Sequence, residues 1–289
     1  MRALVTGCSG FVGRHVMERL DLMGWDTAGL DIADGFDALA YFRQGTSQYD
    51  LIVHAAASAP HRVAIDSQPQ HFARNLQLDS AMFEWAVRTG QGRVLYLSSS
   101  AAYPIRYQLR PGLLEPLYEE MVDLDDADEP DAVYGWAKLT GERLAAEARK
   151  AGLPVTVVRP FSGYGEDQST DFPFRAILDR VIRREDPLTV WGTGTQVRDW
   201  IHIDDVVSGM LAVAESGTTE PVNLCTGVGT TMSELAQLAA QVAGYSPTIE
   251  TLPDKPAGVD YRIGDPTRFH GIYTPKVTLE QGVIRALRV

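Results

Sequence analysis

One segment limits what this chain can fold into more than any other: Thr6-Gly7-Cys8-Ser9-Gly10-Phe11-Val12-Gly13, directly after the apolar run Ala3-Leu4-Val5. Glycines spaced three and three let a strand turn sharply into a helix. They also let backbone N–H groups approach a pyrophosphate and let the helix pack closely on the strand. The helix N-terminus places a partial positive charge at the same point. Alone the pattern says little, because turns commonly hold glycine. Its weight comes from the chain around it. Arg2 to Thr6, Asp26 to Asp31, Asp50 to His54, Arg93 to Ser98 and Pro154 to Arg159 read as strands without alternation, as strands buried on both faces do. Phe72, Leu76, Phe83 and Val87 form one helical stripe that Gly90 stops. Strand–helix–strand repetition predicts an α/β protein built on a doubly wound parallel sheet, with a dinucleotide at its first turn.

After Arg159-Pro160 the rhythm changes. Helices are expected near Phe174 to Arg184, Asp204 to Glu215 and Met232 to Gly244, with strands at Leu188 to Trp191 and Pro221 to Cys225. No linker separates the two parts, so they are expected to interleave. Residues 1–160, joined by about 201–228, would form the dinucleotide domain, and 161–200 with 229–289 a smaller substrate domain.

Acids outnumber bases 38 to 26, a net charge of −12, which argues against nucleic-acid polymers and anionic membranes as partners. No apolar run approaches the roughly 18 residues of a membrane span, and the first residues read as a strand rather than a signal peptide. A cytoplasmic protein is the expectation. Two cysteines, Cys8 and Cys225, exclude a disulfide framework, and six scattered histidines suggest no metal site. The acidic run Asp123 to Asp131 reads as a solvated loop.

Three features carry chemistry. Asp31 ends the second strand, where a carboxylate accepts hydrogen bonds from an adenosine ribose and repels a 2′-phosphate, favouring NAD over NADP; Arg14 is the residue that could reverse that choice. Tyr134 and Lys138 are four apart, one face of a helix. A free phenol ionises near about 10, and a neighbouring ammonium favours the phenolate, giving a general base. The serine-rich strand end Leu97-Ser98-Ser99-Ser100-Ala101-Ala102-Tyr103-Pro104 offers a hydroxyl for the reacting oxygen, since sites of open parallel sheets lie at strand carboxyl ends.

Together these residues resemble the extended short-chain dehydrogenase/reductase family, in its NAD-dependent nucleotide-sugar epimerase/dehydratase branch (UDP-glucose 4-epimerase-like). The match runs on through His54-Ala55-Ala56-Ala57, Asn75, Arg159-Pro160-Phe161, Trp191-Gly192-Thr193-Gly194-Thr195-Gln196-Val197-Arg198-Asp199-Trp200-Ile201-His202-Ile203-Asp204-Asp205, and Asp265-Pro266-Thr267. The resemblance implies a Rossmann domain with a smaller α/β substrate domain, NAD as cofactor, a nucleotide-diphosphate sugar as substrate and a homodimer formed through the helices of Phe72–Val87 and Tyr134–Arg149. It implies Tyr134 as base, Lys138 on the nicotinamide ribose and Ser99 as the catalytic hydroxyl, with Ser100 the alternative. Around NAD it places Gly7, Gly10, Phe11, Val12, Gly13, Asp31, Asp37, Ala55, Ala56, Asn75, Tyr134, Lys138 and Pro160. Around the substrate it places Ser100, Ser162, Arg198, Lys255 and Arg262, with Arg198 gripping the diphosphate.

Departures from the family pattern narrow the reaction. Ser100-Ala101 stands where the 4,6-dehydratases carry an Asp-Glu pair, and Ala101 stands where the GDP-sugar 3,5-epimerases carry a Cys. The Glu of UDP-glucuronate decarboxylases is also absent. What remains is 4-epimerisation, with a dehydrogenase or reductase of the same fold as the alternative. The short Asp31 to Asp50 segment suggests a missing peripheral strand. Ser162 replaces the usual Asn, and Lys255 replaces an Arg of many relatives, with Arg262 or Arg268 as compensation. Trp191 and Phe174 are candidates to flank the base, and His61 and Arg62 to face the sugar. The long 104–133 loop could reshape the sugar pocket or decorate the surface, and decoration is the favoured reading.

Overall fold

The computed structural model describes residues 1–58, 69–109 and 115–288, so His61 and Arg62 fall outside the described residues. The strands are β1 (Arg2–Thr6), β2 (Asp26–Leu30), β3 (Leu51–His54), β4 (Arg93–Leu97), β5 (Val155–Pro160), β6 (Ser162–Tyr164), β7 (Leu188–Trp191), β8 (Val197–His202), β9 (Val222–Leu224), β10 (Gly229–Thr231), β11 (Ile249–Leu252) and β12 (Tyr261–Arg262). The helices are α1 (Phe11–Leu22), α2 (Ala38–Gln44), α3 (Pro69–Thr89), α4 (Ala132–Lys150), α5 (Pro173–Ile182), α6 (Ile203–Ser216), α7 (Met232–Val242), α8 (Thr267–His270) and α9 (Leu279–Ala286).

The large sheet is parallel throughout, in the order β2-β1-β3-β4-β5-β9. Its strands are apolar on both sides because each feeds two cores. Ala3, Val5, Leu51, Val53, Leu95 and Leu97 enter one cluster with α1 and α6, while Leu4, Ile52, Val94 and Tyr96 enter the other with Phe42, Met82 and Trp85. That split is the period of two of a pleated strand. The short Asp31–Asp50 segment forms a 3₁₀ turn at Ile32–Asp34 and α2, and β2 is the sheet's edge among the described residues.

After Pro160 the chain leaves this sheet and returns at β9, which pairs with β5. A second layer takes strands from both sides of β9 in the chain: β8 pairs with β6, β10 and β12, and β7 pairs with β11. Its core joins Phe174, Leu178, Val190, Leu235 and Val283.

Two expectations need correction. The buried face of α3 is Asn75, Leu78, Asp79, Met82, Phe83, Trp85 and Ala86; Val87 is exposed and Phe72 only half-buried. Apolar spacing misplaced the stripe because two polar residues occupy the buried side. The 104–133 loop is also more than decoration. Leu117 is fully buried and its N–H bonds to Ile263, and the buried Glu119 side chain accepts from the Asn223 N–H at 2.9 Å. Asp125 in the acidic run is solvated as expected, but Asp131 is buried at the start of α4. No helix among the described residues is long and apolar enough to cross a membrane.

Candidate active site

Strand order reverses on either side of β1, and open α/β sheets place ligands at the carboxyl ends of strands flanking such a point. A cleft of about 790 Å³ opens there. Gly7, Gly10, Phe11, Val12 and Gly13 line one end, and Ser99, Tyr134 and Lys138 its middle. Phe161, Ser162, Arg198 and Trp200 belong to its far wall.

The glycine loop is close-packed on its inner side. Gly7 has φ +70°, and a Cβ there would lie 2.8 Å from the Ala56 backbone; a Cβ on Gly13 would lie 1.9 Å from the Gly7 carbonyl oxygen. At Gly10 a Cβ would meet only that same oxygen, at 3.2 Å. The loop is therefore tight against the sheet and open toward the cleft. Gly10 caps the twelve-residue α1 with no side-chain hydrogen bond. A bare helix N-terminus facing a cleft is a fitting seat for a pyrophosphate, so the residues present suit a dinucleotide.

Asp31 sits behind the loop rather than in the cleft wall: it accepts from Ser9 N at 3.1 Å and Ala33 N at 2.9 Å. Asp34 accepts from the Ser9 hydroxyl, making a second carboxylate beside the loop. Arg14, the residue that could have favoured a 2′-phosphate, is committed to Asp167, with Nε at 2.8 Å and Nη2 at 2.7 Å. Burial acts to raise the Asp167 carboxyl pKa, but the Arg14 and His15 contacts hold it below its ordinary value.

Tyr134 and Lys138 project from α4 into the cleft, with Lys138 Nζ 5.8 Å from the Tyr134 ring centroid. Lys138 is buried and donates to the Leu97 carbonyl at 2.7 Å, which fixes the ammonium at the end of β4. Ser99 caps the turn Ser100–Ala102, its Oγ accepting from Ala101 N at 3.1 Å. Its own O–H stays available for a substrate oxygen. Ser100 is buried outside the cleft lining, so Ser99 is the hydroxyl that the site presents.

On the far wall Arg198 and Trp200 share one face of β8, two residues apart. Arg198 donates to the Val197 and Ala257 carbonyls at 2.8 and 3.2 Å. Asp199 accepts from Thr226, Gly227 and Gly264, and Asp204 pairs with Arg285.

Several expected residues lie elsewhere. Ala56 backs the Gly7 turn and donates to Thr6 Oγ1. Asn75 spends its amide on Ser58 N and O, at 2.6 and 3.0 Å, and so shapes the loop after β3. Asp37 caps α2 through Leu39 N. Lys255 is exposed over the Trp191 ring, and neither lines the cleft. Arg262 is drawn away by Gln108 and by Asp131, 2.5 Å off, so it anchors the start of the helix that carries Tyr134. Phe174 lines the cleft but from the core. Gln168 and Met232 line the site without any motif to announce them, while Ser98 and Trp200 stand in the quoted motifs without having been singled out.

A family model described as the NAD dependent epimerase/dehydratase family matches residues 3–225. GDP-L-fucose synthase of Escherichia coli (strain K12) is 27% identical over 314 aligned residues, spanning 98% of this chain and 94% of that protein. The dTDP-4-dehydro-6-deoxy-D-allose reductase of Streptomyces sp is 24% identical, spanning 92% of this chain and 88% of its own. Among solved structures, the UDP-glucose 4-epimerase of Thermotoga maritima with UDP-glucose superposes with a TM-score of 0.84 at 25% identity, covering 100% of this chain and 98% of that one.

Proposed function

The chain belongs to the NAD-dependent epimerase/dehydratase family, and we propose that it is a nucleotide-sugar 4-epimerase. One observation carries this reading. Asp167 is the sole carboxylate among the described residues of the cleft lining, and Arg14 and His15 hold it. Elimination or decarboxylation needs a further acid–base group, whereas interconverting a hydroxyl and a carbonyl needs only Ser99, Tyr134 and Lys138. NAD, the family's cofactor, supplies a hydride acceptor that can return the hydride to either face of a keto sugar.

Tyr134 Oη takes the proton of the sugar C4 hydroxyl as the C–H bond breaks, and gives it back on reduction. The Lys138 ammonium stabilises the phenolate form and is held in place by Leu97 O. The Ser99 O–H donates to the C4 oxygen and fixes its position. Arg198, with Ser162 beside it in the wall, holds the diphosphate, a bidentate partner for a guanidinium in an otherwise acidic protein. Asp31 and Asp34 beside the loop, with Arg14 occupied, favour NAD over NADP. Residues 1–160 with about 201–228 would serve the cofactor, and 161–200 with 229–289 the sugar nucleotide.

A proton NMR time course with NAD and either UDP-glucose or UDP-N-acetylglucosamine should show C4-epimer anomeric signals without net NADH. A second reading, a keto-sugar reductase, is favoured by the likeness to the Streptomyces enzyme. Consumption of added NADH with a 4-keto sugar nucleotide, and no epimer, would replace the first reading by the second.

The same reading includes a homodimer through α3 and α4. Sedimentation equilibrium at micromolar concentration should return twice the 31.7 kDa of the chain. A monomer mass removes this part.

A further inference from the structure

Lys138 carries a charge into a place where charge is costly. Its side chain is almost wholly buried, it donates to the neutral Leu97 carbonyl, and it has no ion-pair partner among the described residues. A buried ammonium needs an opposite charge nearby. On its own helix, Tyr134 and Glu142 flank it one turn to either side. Glu142 is already taken, binding Arg159 of β5 through Nε at 2.9 Å and Nη2 at 2.7 Å. From β4, Tyr96 presents its ring to Lys138 Nζ at 5.2 Å. At the hydroxyl end of that ring, from α3, lies Asp79.

Asp79 is as buried as Lys138. Its Oδ2 accepts from the Tyr96 hydroxyl at 2.6 Å and its Oδ1 faces His54 Nε2, on β3, at 3.1 Å. His54 Nδ1 faces Thr6 Oγ1 at 2.8 Å, and Thr6 Oγ1 accepts from Ala56 N at 3.1 Å. With Thr6 donating to Nδ1, the imidazole proton sits on Nε2 and points at Asp79. Every group is then satisfied with an uncharged ring. The carboxylate keeps its charge, and the cation left to balance it is Lys138. The fold makes room for this arrangement: a Cβ on Gly141 of α4 would fall 1.8 Å from the Tyr96 hydroxyl and 2.6 Å from Asp79 Oδ2.

We propose that Asp79 is a positioning residue of the active site, the buried counter-charge that holds the Lys138 ammonium beneath Tyr134. Burial alone acts to raise the Asp79 carboxyl pKa, yet the His54 hydrogen bond, the Lys138 charge and the Tyr96 hydrogen bond together hold it below the ordinary value. The proposal rests on the catalytic reading only for its consequence in turnover. The charge pairing itself stands apart from the reaction.

Two measurements test it. The first compares urea midpoints of the intact chain with those of Asp79→Asn, Lys138→Met and the double variant. Each single variant strands a buried charge, so each lowers the midpoint. Removing both should recover more than half of what either loses, and should restore folding if a single variant fails to fold. No recovery overturns the proposal, and points to His54 as the partner instead.

The second is the pH profile of kcat in the holoenzyme. Loss of the Asp79 charge should displace the alkaline limb of this profile in Asp79→Asn. Tyr96→Phe removes a hydrogen bond but keeps the carboxylate, and should leave the limb in place. Equal shifts in the two variants, or none in a folded Asp79→Asn, overturn the proposal. Failure of the epimerase reading would appear differently, as an inactive wild type whose double variant still recovers stability.

Discussion

Tyr134→Phe should lower kcat by about 10²- to 10⁴-fold, the range a positioned general base supplies, while NAD binding stays close to that of the unaltered protein. The change removes one oxygen from a half-buried ring and nothing else. The glycine loop, its tight contacts with the Ala56 backbone and the Lys138–Leu97 hydrogen bond are all made by other groups. Binding is read by quenching of tryptophan fluorescence on titration with NAD, and turnover by the anomeric NMR signals. Loss of both together would mean that the fold, rather than a proton transfer, had been disturbed. Turnover surviving within tenfold would remove Tyr134 from the role of base and leave the Ser99 hydroxyl and the cleft without an account of the proton.

How much of this the sequence made legible depends on whether a residue's task is local. The glycine loop was readable because a turn of that tightness admits no other residue at Gly7 or Gly13. The strands of the large sheet were readable because each feeds two apolar cores. Tyr134 and Lys138 were readable because one helix face carries both. Tasks that join distant elements left no such trace. Asp79 looks like a surface residue of an amphipathic helix, and only the packing of α3 against α4 turns it inward. Arg262 looks like a phosphate ligand until Asp131, far off in sequence, is seen to hold it. The β8 hub was missed because its neighbours β6, β10 and β12 are two or three residues each, too short for a period to register.

Glu142→Ala should be among the most destabilising single changes in the protein, costing about 3–5 kcal/mol, as breaking one side of a buried ion pair does. Arg159 is fully buried, and Glu142 receives two of its nitrogens. The remaining guanidinium nitrogen donates to the Tyr103 hydroxyl at 3.1 Å and the Glu119 carbonyl at 2.9 Å. Burial acts to lower the Arg159 pKa, but the Glu142 charge outweighs it and the net displacement is upward. Without the carboxylate that compensation is gone and the cation remains. A domain is typically stable by about 5–15 kcal/mol, so the expected loss is a large share of the whole. The damage should also reach the cleft, because Glu142 accepts from Ser98, the neighbour of Ser99, and Tyr103 donates to Asn223 on β9 at 2.6 Å. Urea unfolding of Glu142→Ala checks the magnitude. Glu142→Leu combined with Arg159→Met, which removes both charges, should unfold later than Glu142→Ala alone. By contrast, Asp125→Asn on the exposed partner of Arg143 should leave the midpoint where it is, since solvent already screens that pair. If the double replacement is no better than the single, the loss belongs to packing around Glu142 rather than to the charge it balances.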